Sequence, residues 1–128
     1  MHFGEHLMID GYGGSKEKLN DRNLIIYFLN DLPKKMNMHL LSNPEVFLAL
    51  GNDKKDPGGL SGFVLIQESH ISIHTFPLRG FLSADIYTCK NGLDVDFFTL
   101  YLKRLFTLNN IESNFIKRGV RYPNHNIY

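Results

Sequence analysis

Cysteine occurs once in the 128 residues, at Cys89. No internal disulfide can form, and an oxidising compartment has nothing to act on. Charge of one sign is equally scarce. Fourteen Lys and Arg stand against thirteen Asp and Glu, a net +1, and like charges do not cluster. That argues against a nucleic-acid surface, which needs a basic stripe. Long apolar runs are missing too: the stretch around Ile25 to Leu29 falls far short of a membrane span. Met1 to Gly14 lacks a basic region followed by an apolar one, so no secretory signal is expected. These absences predict a near-neutral cytoplasmic protein with neither nucleic acid nor membrane as partner.

What is present is a 43% hydrophobic chain of a length that makes one domain, residues 1–128. A domain this small leaves much surface exposed, so an apolar sheet face left over for a second copy is expected. Glu5 to Ile9 reads as a strand ended by Gly11-Tyr12-Gly13-Gly14. Leu24, Ile25, Phe28, Leu29 and Leu32 follow helical spacing, with Asn20 or Asp21 as cap and Pro33 near the stop. His39 to Leu50 reads as a strand broken or bulged near Pro44, and Gly51 to Gly59 as a polar loop. Three strands follow, Ser61 to Gln67, His70 to Phe76 and Phe81 to Cys89. A helix capped by Asp94 then carries Val95, Phe98, Tyr101, Leu102 and Leu105, and Ile111 to Tyr122 is a last strand. The order predicts an α+β fold: a two-layer sandwich with a mainly antiparallel sheet and two helices on one face.

The informative stretch runs from Glu68 to Cys89. Ile71 and Ile73 point one way in the first strand, while His70, Ser72, His74 and Phe76 point the other. A turn at Pro77-Leu78-Arg79-Gly80 sets Ile73 opposite Ala84 and Ile71 opposite Ile86, so both apolar sets meet on the helix-covered face. The same register sets His74 opposite Ser83 and His70 opposite Tyr87, and brings Cys89 beside the Glu68–Ser69 bond. Ser69, His74 and Cys89 are therefore expected to converge on one polar face. Alternation alone equally describes a solvated outer face, and a lone cysteine is more often a small buried hydrophobe.

The run Glu68-Ser69-His70-Ile71-Ser72-Ile73-His74-Thr75-Phe76-Pro77, followed by Ala84-Asp85-Ile86-Tyr87-Thr88-Cys89, resembles the prokaryotic S-adenosylmethionine decarboxylases. Gly59-Leu60-Ser61-Gly62, Gly4-Glu5-His6-Leu7 and Lys117-Arg118-Gly119 extend the resemblance over nearly the whole chain. It implies a proenzyme that cuts itself between Glu68 and Ser69, into residues 1–68 and 69–128. Ser69 would become a pyruvoyl cofactor, in place of pyridoxal phosphate or a metal, and form a Schiff base with the substrate amine. The resemblance further implies His74 as the processing base, Ser61 as its support and Cys89 as the proton donor. It also implies a homodimer in which two sheets face each other.

The chain departs from that family on the nucleoside side. The family pattern Thr-(Trp/Phe)-Pro-Glu becomes Thr75-Phe76-Pro77-Leu78, and a leucine cannot accept hydrogen bonds from ribose hydroxyls. His-x-Phe-x-Pro becomes Asp53-Lys54-Lys55-Asp56-Pro57, and Thr-Cys-Gly becomes Thr88-Cys89-Lys90. Phe76 is kept as a stacking residue. The expected function is S-adenosylmethionine decarboxylation for spermidine synthesis. The alternatives are a decarboxylase of a basic amino acid, ornithine or arginine, with Leu78 marking the change, and an inactive partner subunit.

Overall fold

Elementary patterning accounts for most of the architecture seen in a computed structural model, which describes residues 2–52 and 55–126. Its elements are β1 (Gly4–Tyr12), α1 (Lys16–Leu19), α2 (Arg22–Lys35), β2 (Glu45–Leu50), β3 (Gly58–Ile66), β4 (Ser69–Phe76), β5 (Phe81–Thr88), α3 (Val95–Phe106) and β6 (Asn110–Arg118). The six strands form one sheet in the order β2-β3-β4-β5-β1-β6. Every neighbouring pair is antiparallel. Strict alternation explains why: Leu7, Ile9, Val64, Ile66, Ile71, Ile73, Leu82 and Ile86 are buried on one face. α2 and α3 cover that face with Ile25, Phe28, Leu29, Leu32, Phe98, Leu102 and Phe106. Gly62 on β3 is needed there, since a Cβ would come within 3.1 Å of Leu29 and Val46.

The β4–β5 register is the expected one, Ile73 with Ala84, Ile71 with Ile86, His74 with Ser83 and His70 with Tyr87. Pro77–Arg79 form a single 3-10 turn, which Gly80 closes at φ 62. The broken strand is also found. His39–Leu41 and β2 both lie along the edge of β3, with Leu40 opposite Ile66 and Val46 opposite Gly62. The interruption falls at Pro44, whose nitrogen has no proton to give.

Pro33 stands near the stop of α2, which ends two residues later at Lys35, because a proline in the last turn sacrifices one hydrogen bond while its ring is buried. Four expectations are corrected. α1 was not foreseen; its four residues are too few to show a period, though Ser15 caps it. β1 extends to Tyr12, since Gly11 lets the strand lie on Leu108, where a Cβ would meet Cδ1 at 2.6 Å. β6 stops at Arg118, ahead of Gly119 at φ 64. The polar loop is shorter than expected, since Gly58 and Gly59 already belong to β3, and its residues 53 and 54 lie outside the described residues. No helix among the described residues is long and apolar enough to cross a membrane.

Candidate active site

The tight connection between β3 and β4 is Gln67-Glu68, and Ser69 opens β4 directly behind it. Ser69 has φ 154, a region that residues with a Cβ rarely enter. Such a conformation costs on the order of 1–3 kcal/mol and persists only when its surroundings enforce it. They do so from several sides. Ser69 is level with Thr88 on β5 and with Ile66 on β3. The backbone N–H of Cys89 donates to the carbonyl oxygen of Glu68 at 2.9 Å. The Glu68–Ser69 linkage therefore joins a strained residue to a carbonyl polarised by a fixed donor.

β1 supports this corner from the other side. Gly4 lies so close to the Thr88–Cys89 backbone that a Cβ would stand 2.5 Å from the Thr88 carbonyl oxygen. Next to it, the nearly buried Glu5 accepts the backbone N–H groups of Gly92 (3.1 Å) and Leu93 (2.9 Å). Burial works to raise the Glu5 pKa. The donors at Leu93, His2 and Gly92 outweigh it and hold the carboxyl below its ordinary value. Through Glu5, the loop after Cys89 is fixed to the sheet.

The carboxylate of Glu68 is held by residue 39. The His39 backbone N–H donates to Oε1 at 3.1 Å and Nδ1 donates to Oε2 at 2.9 Å. Here too burial pushes the carboxyl upward, and the side-chain and backbone bonds from His39 prevail, leaving it lowered. The Cys89 side chain is exposed as a free thiol.

His74 lies elsewhere. It is exposed on the outer face of β4, where Nδ1 and the Ser61 hydroxyl are 2.9 Å apart, in the Ser61–His74 register pair. Five residues of extended strand separate it from Ser69, about 16 Å. Ser69 itself, at φ 154, stands outside the regular pleat, so parity with Ile71 and Ile73 does not set the face its side chain takes. Cys89 thus stands beside the Glu68–Ser69 bond and His74 beside Ser61, and the length of β4 keeps these two groups apart within one chain.

Between the two groups the outer face carries a polar network. His6 Nε2 donates to Asp85 Oδ2 at 2.6 Å, the Ser72 hydroxyl donates to Oδ1, and His70 Nε2 stands 3.6 Å from Oδ2. Arg118 donates to His6 Nδ1 at 3.2 Å and lies 4.2 Å over the Tyr87 ring. Beyond the hairpin turn, Tyr12, Phe76 and Phe81 line a cavity of about 590 Å³ together with Asn52, Lys55, Asp56 and Arg79. Leu78 is 66% exposed at the turn and lines an adjoining groove with Leu48, Leu50 and Pro77.

Comparison with known proteins decides the family. The family model described as S-adenosylmethionine decarboxylase matches residues 5–119. The chain belongs to the S-adenosylmethionine decarboxylase family. A proenzyme of that name from Clostridium botulinum is 33% identical over 116 residues, 91% of this chain and 94% of the relative. One from Caldicellulosiruptor saccharolyticus is 31% identical over 121 residues, 94% and 92%. The crystal structure of the adenosylmethionine decarboxylase from Aquifex aeolicus superposes with a TM-score of 0.79 at 27% identity, covering 98% of both chains. S-adenosylmethionine decarboxylase proenzymes are pyruvoyl-dependent decarboxylases whose cofactor comes from a serine by self-cleavage, without pyridoxal phosphate or metal.

In this family frame the sequence reading missed three residues. Glu5 was signalled: a carboxylate stands in the buried parity of Leu7 and Ile9, where only a bonded acid is tolerated. Asp85 was visible as the acid in an otherwise neutral polar set, opposite Ser72. His39 had no signal, because its link to Glu68 depends on a loop register that no local pattern encodes.

Proposed function

We propose that this chain is a self-processing S-adenosylmethionine decarboxylase, cut into residues 1–68 and 69–128, that supplies the decarboxylated aminopropyl donor for spermidine. The observation that carries the reading is the Glu68–Ser69 corner: a serine at φ 154 following a carbonyl that already accepts the Cys89 N–H at 2.9 Å. Attack by Ser69 Oγ on the Glu68 carbonyl carbon puts negative charge on the oxygen that this N–H faces. Breaking the C–N bond then yields an ester and a free Ser69 amine, and releases the strain. A base removes the Ser69 α-proton, the Glu68 carboxylate leaves, and hydrolysis of the dehydroalanine releases ammonia and leaves the pyruvoyl. The pyruvoyl carbonyl supplies the electron sink for loss of CO₂. Cys89 is the proton donor to the substrate carbon, at the same corner.

His74 is assigned as the processing base. With Nδ1 donating to Ser61 Oγ, its Nε2 lone pair takes the proton. The separation of about 16 Å along β4 rules out action on Ser69 of the same chain. A second copy, its outer face against this one, brings His74 and Ser61 to the partner's Ser69, so the functional unit is a homodimer of processed chain pairs. The outer face supports this, since Tyr12, Phe47, Leu65 and Ile116 are all exposed on it. The same pairing carries the aromatic cavity of Phe76, Phe81 and Tyr12 toward the partner's Ser69, as a wall for an adenine ring. The exposed free thiol of Cys89 fits the reducing cytoplasm.

A second reading, a decarboxylase of ornithine or arginine, is favoured by Leu78, which offers no acceptor to a ribose. Release of labelled CO₂ from S-adenosylmethionine, ornithine, arginine and lysine separates the two: turnover of S-adenosylmethionine alone is expected. Mass spectrometry of the purified protein should show two chains, the second blocked by a pyruvoyl. Ser69→Ala should remain one polypeptide, and cleavage in that variant overturns the assignment of the cofactor.

A further inference from the structure

We infer that His39 is a positioning residue for self-processing, a clamp that holds the Glu68 side chain so that the Glu68–Ser69 bond stays in its strained, reactive geometry. This rests on the reading that this bond is the one cut.

The residue before the scissile bond is gripped at two levels. On the backbone, Gln67 N–H donates to the His39 carbonyl at 2.9 Å and Leu41 N–H to the Leu65 carbonyl at 2.9 Å, so residues 39–41 run as a strip along the end of β3. On the side chain, both carboxylate oxygens of Glu68 are taken by residue 39, one by its N–H at 3.1 Å and one by Nδ1 at 2.9 Å. A two-point grip fixes the orientation of a carboxylate where a single bond would let it swing. The ladder with Thr88 fixes the residue on the other side of the bond. Between two fixed sides, the conformation at Ser69 has no neighbour able to rotate and relax it. A φ of 154 in a residue with a Cβ requires such over-determination. Attack by Oγ releases the strain, so whatever maintains the strain raises the ground state relative to the transition state. His39 touches neither Oγ nor the carbonyl carbon, and it acts only through Glu68. Its side chain is 70% exposed, whereas that of Glu68 is 15% exposed, so truncating it removes no core contact.

The test follows freshly translated proenzyme on denaturing gels. His39→Ala should be cut roughly tenfold more slowly, as the loss of one charge-assisted hydrogen bond implies. His39→Asn, whose amide N–H can stand in for Nδ1, should recover most of the rate. In the uncut Ser69→Ala background, His39→Ala should leave Tm unchanged. Cutting of His39→Ala at the normal rate overturns the inference. So does slowing that follows a loss of Tm and is not restored by asparagine. If the unsubstituted chain is not cut at all, the processing reading itself falls.

Discussion

If His74 serves the Ser69 of a second copy, two inactive chains should repair each other, and the yield can be worked out beforehand. Ser69→Ala removes the nucleophile and keeps the base; His74→Ala removes the base and keeps the nucleophile. Loss of a general base slows proton removal on the order of 10²–10⁴-fold, so neither variant alone is cut on the time scale of the native chain. Co-expressed in equal amounts, random pairing puts about half of the His74→Ala chains beside a Ser69→Ala chain that still carries His74. In those mixed pairs, one of the two corners is complete. About half of the His74→Ala chains should therefore be cut at the native rate, and none of the Ser69→Ala chains. Different affinity tags on the two variants, with denaturing gels of each, give both fractions. Ser61→Ala should fall into the same group as His74→Ala, because the two side chains are bonded at 2.9 Å. It should complement Ser69→Ala and fail to complement His74→Ala. Uncut His74→Ala chains in isolated mixed pairs would refute the geometric reasoning. Native-rate cutting of His74→Ala by itself would remove His74 from the reaction.

Three more perturbations separate the parts of the site. Cys89→Ala keeps the backbone N–H that faces the Glu68 carbonyl. Processing should persist while decarboxylation falls on the order of a hundredfold or more, measured as CO₂ release from fully cut protein. Leu78→Glu offers the ribose an acceptor and should lower KM for S-adenosylmethionine up to about tenfold with kcat little changed; an unchanged KM would place the ribose elsewhere. Glu5 has a folded pKa below its ordinary 4.5, so its contribution to stability is complete above that value and is lost as pH falls through the folded pKa. Thermal scans of the uncut Ser69→Ala chain between neutral pH and pH 3 should therefore show a steeper acid loss of Tm than the same chain with Glu5→Gln.

The sheet was legible in the sequence because its faces differ. Ile71, Ile73, Ala84 and Ile86 permit one register only, and a slip by one residue would expose all four. Helices α2 and α3 announced themselves through period and caps, Asp21 accepting from Leu24 and Asp94 from Phe97. α1 and the two residues by which α2 passes Pro33 were not legible, being decided by tertiary contact and not by pattern. The corner at Ser69 was half legible. Register put Cys89 beside Glu68, but no local rule foretells φ 154 or the reach of His39 across 29 positions.

The misplacement of His74 has a different origin. Ser69 and His74 stand five steps apart on β4, about 16 Å, a length that no choice of register with β5 shortens. The outer face, moreover, is not an ordinary solvated one. It carries a network around Asp85 fed by His6, Ser72 and His70, with apolar Tyr12, Phe47, Leu65 and Ile116 exposed around it. A face meant for water needs neither a half-buried carboxylate with matched donors nor exposed aromatics. A face that meets its own copy needs both: donors to satisfy the carboxylate once water is gone, and apolar area to drive association. In the proposed dimer, a twofold axis crossing β4 between them would bring together the two halves of the catalytic set, which stand at opposite ends of that strand.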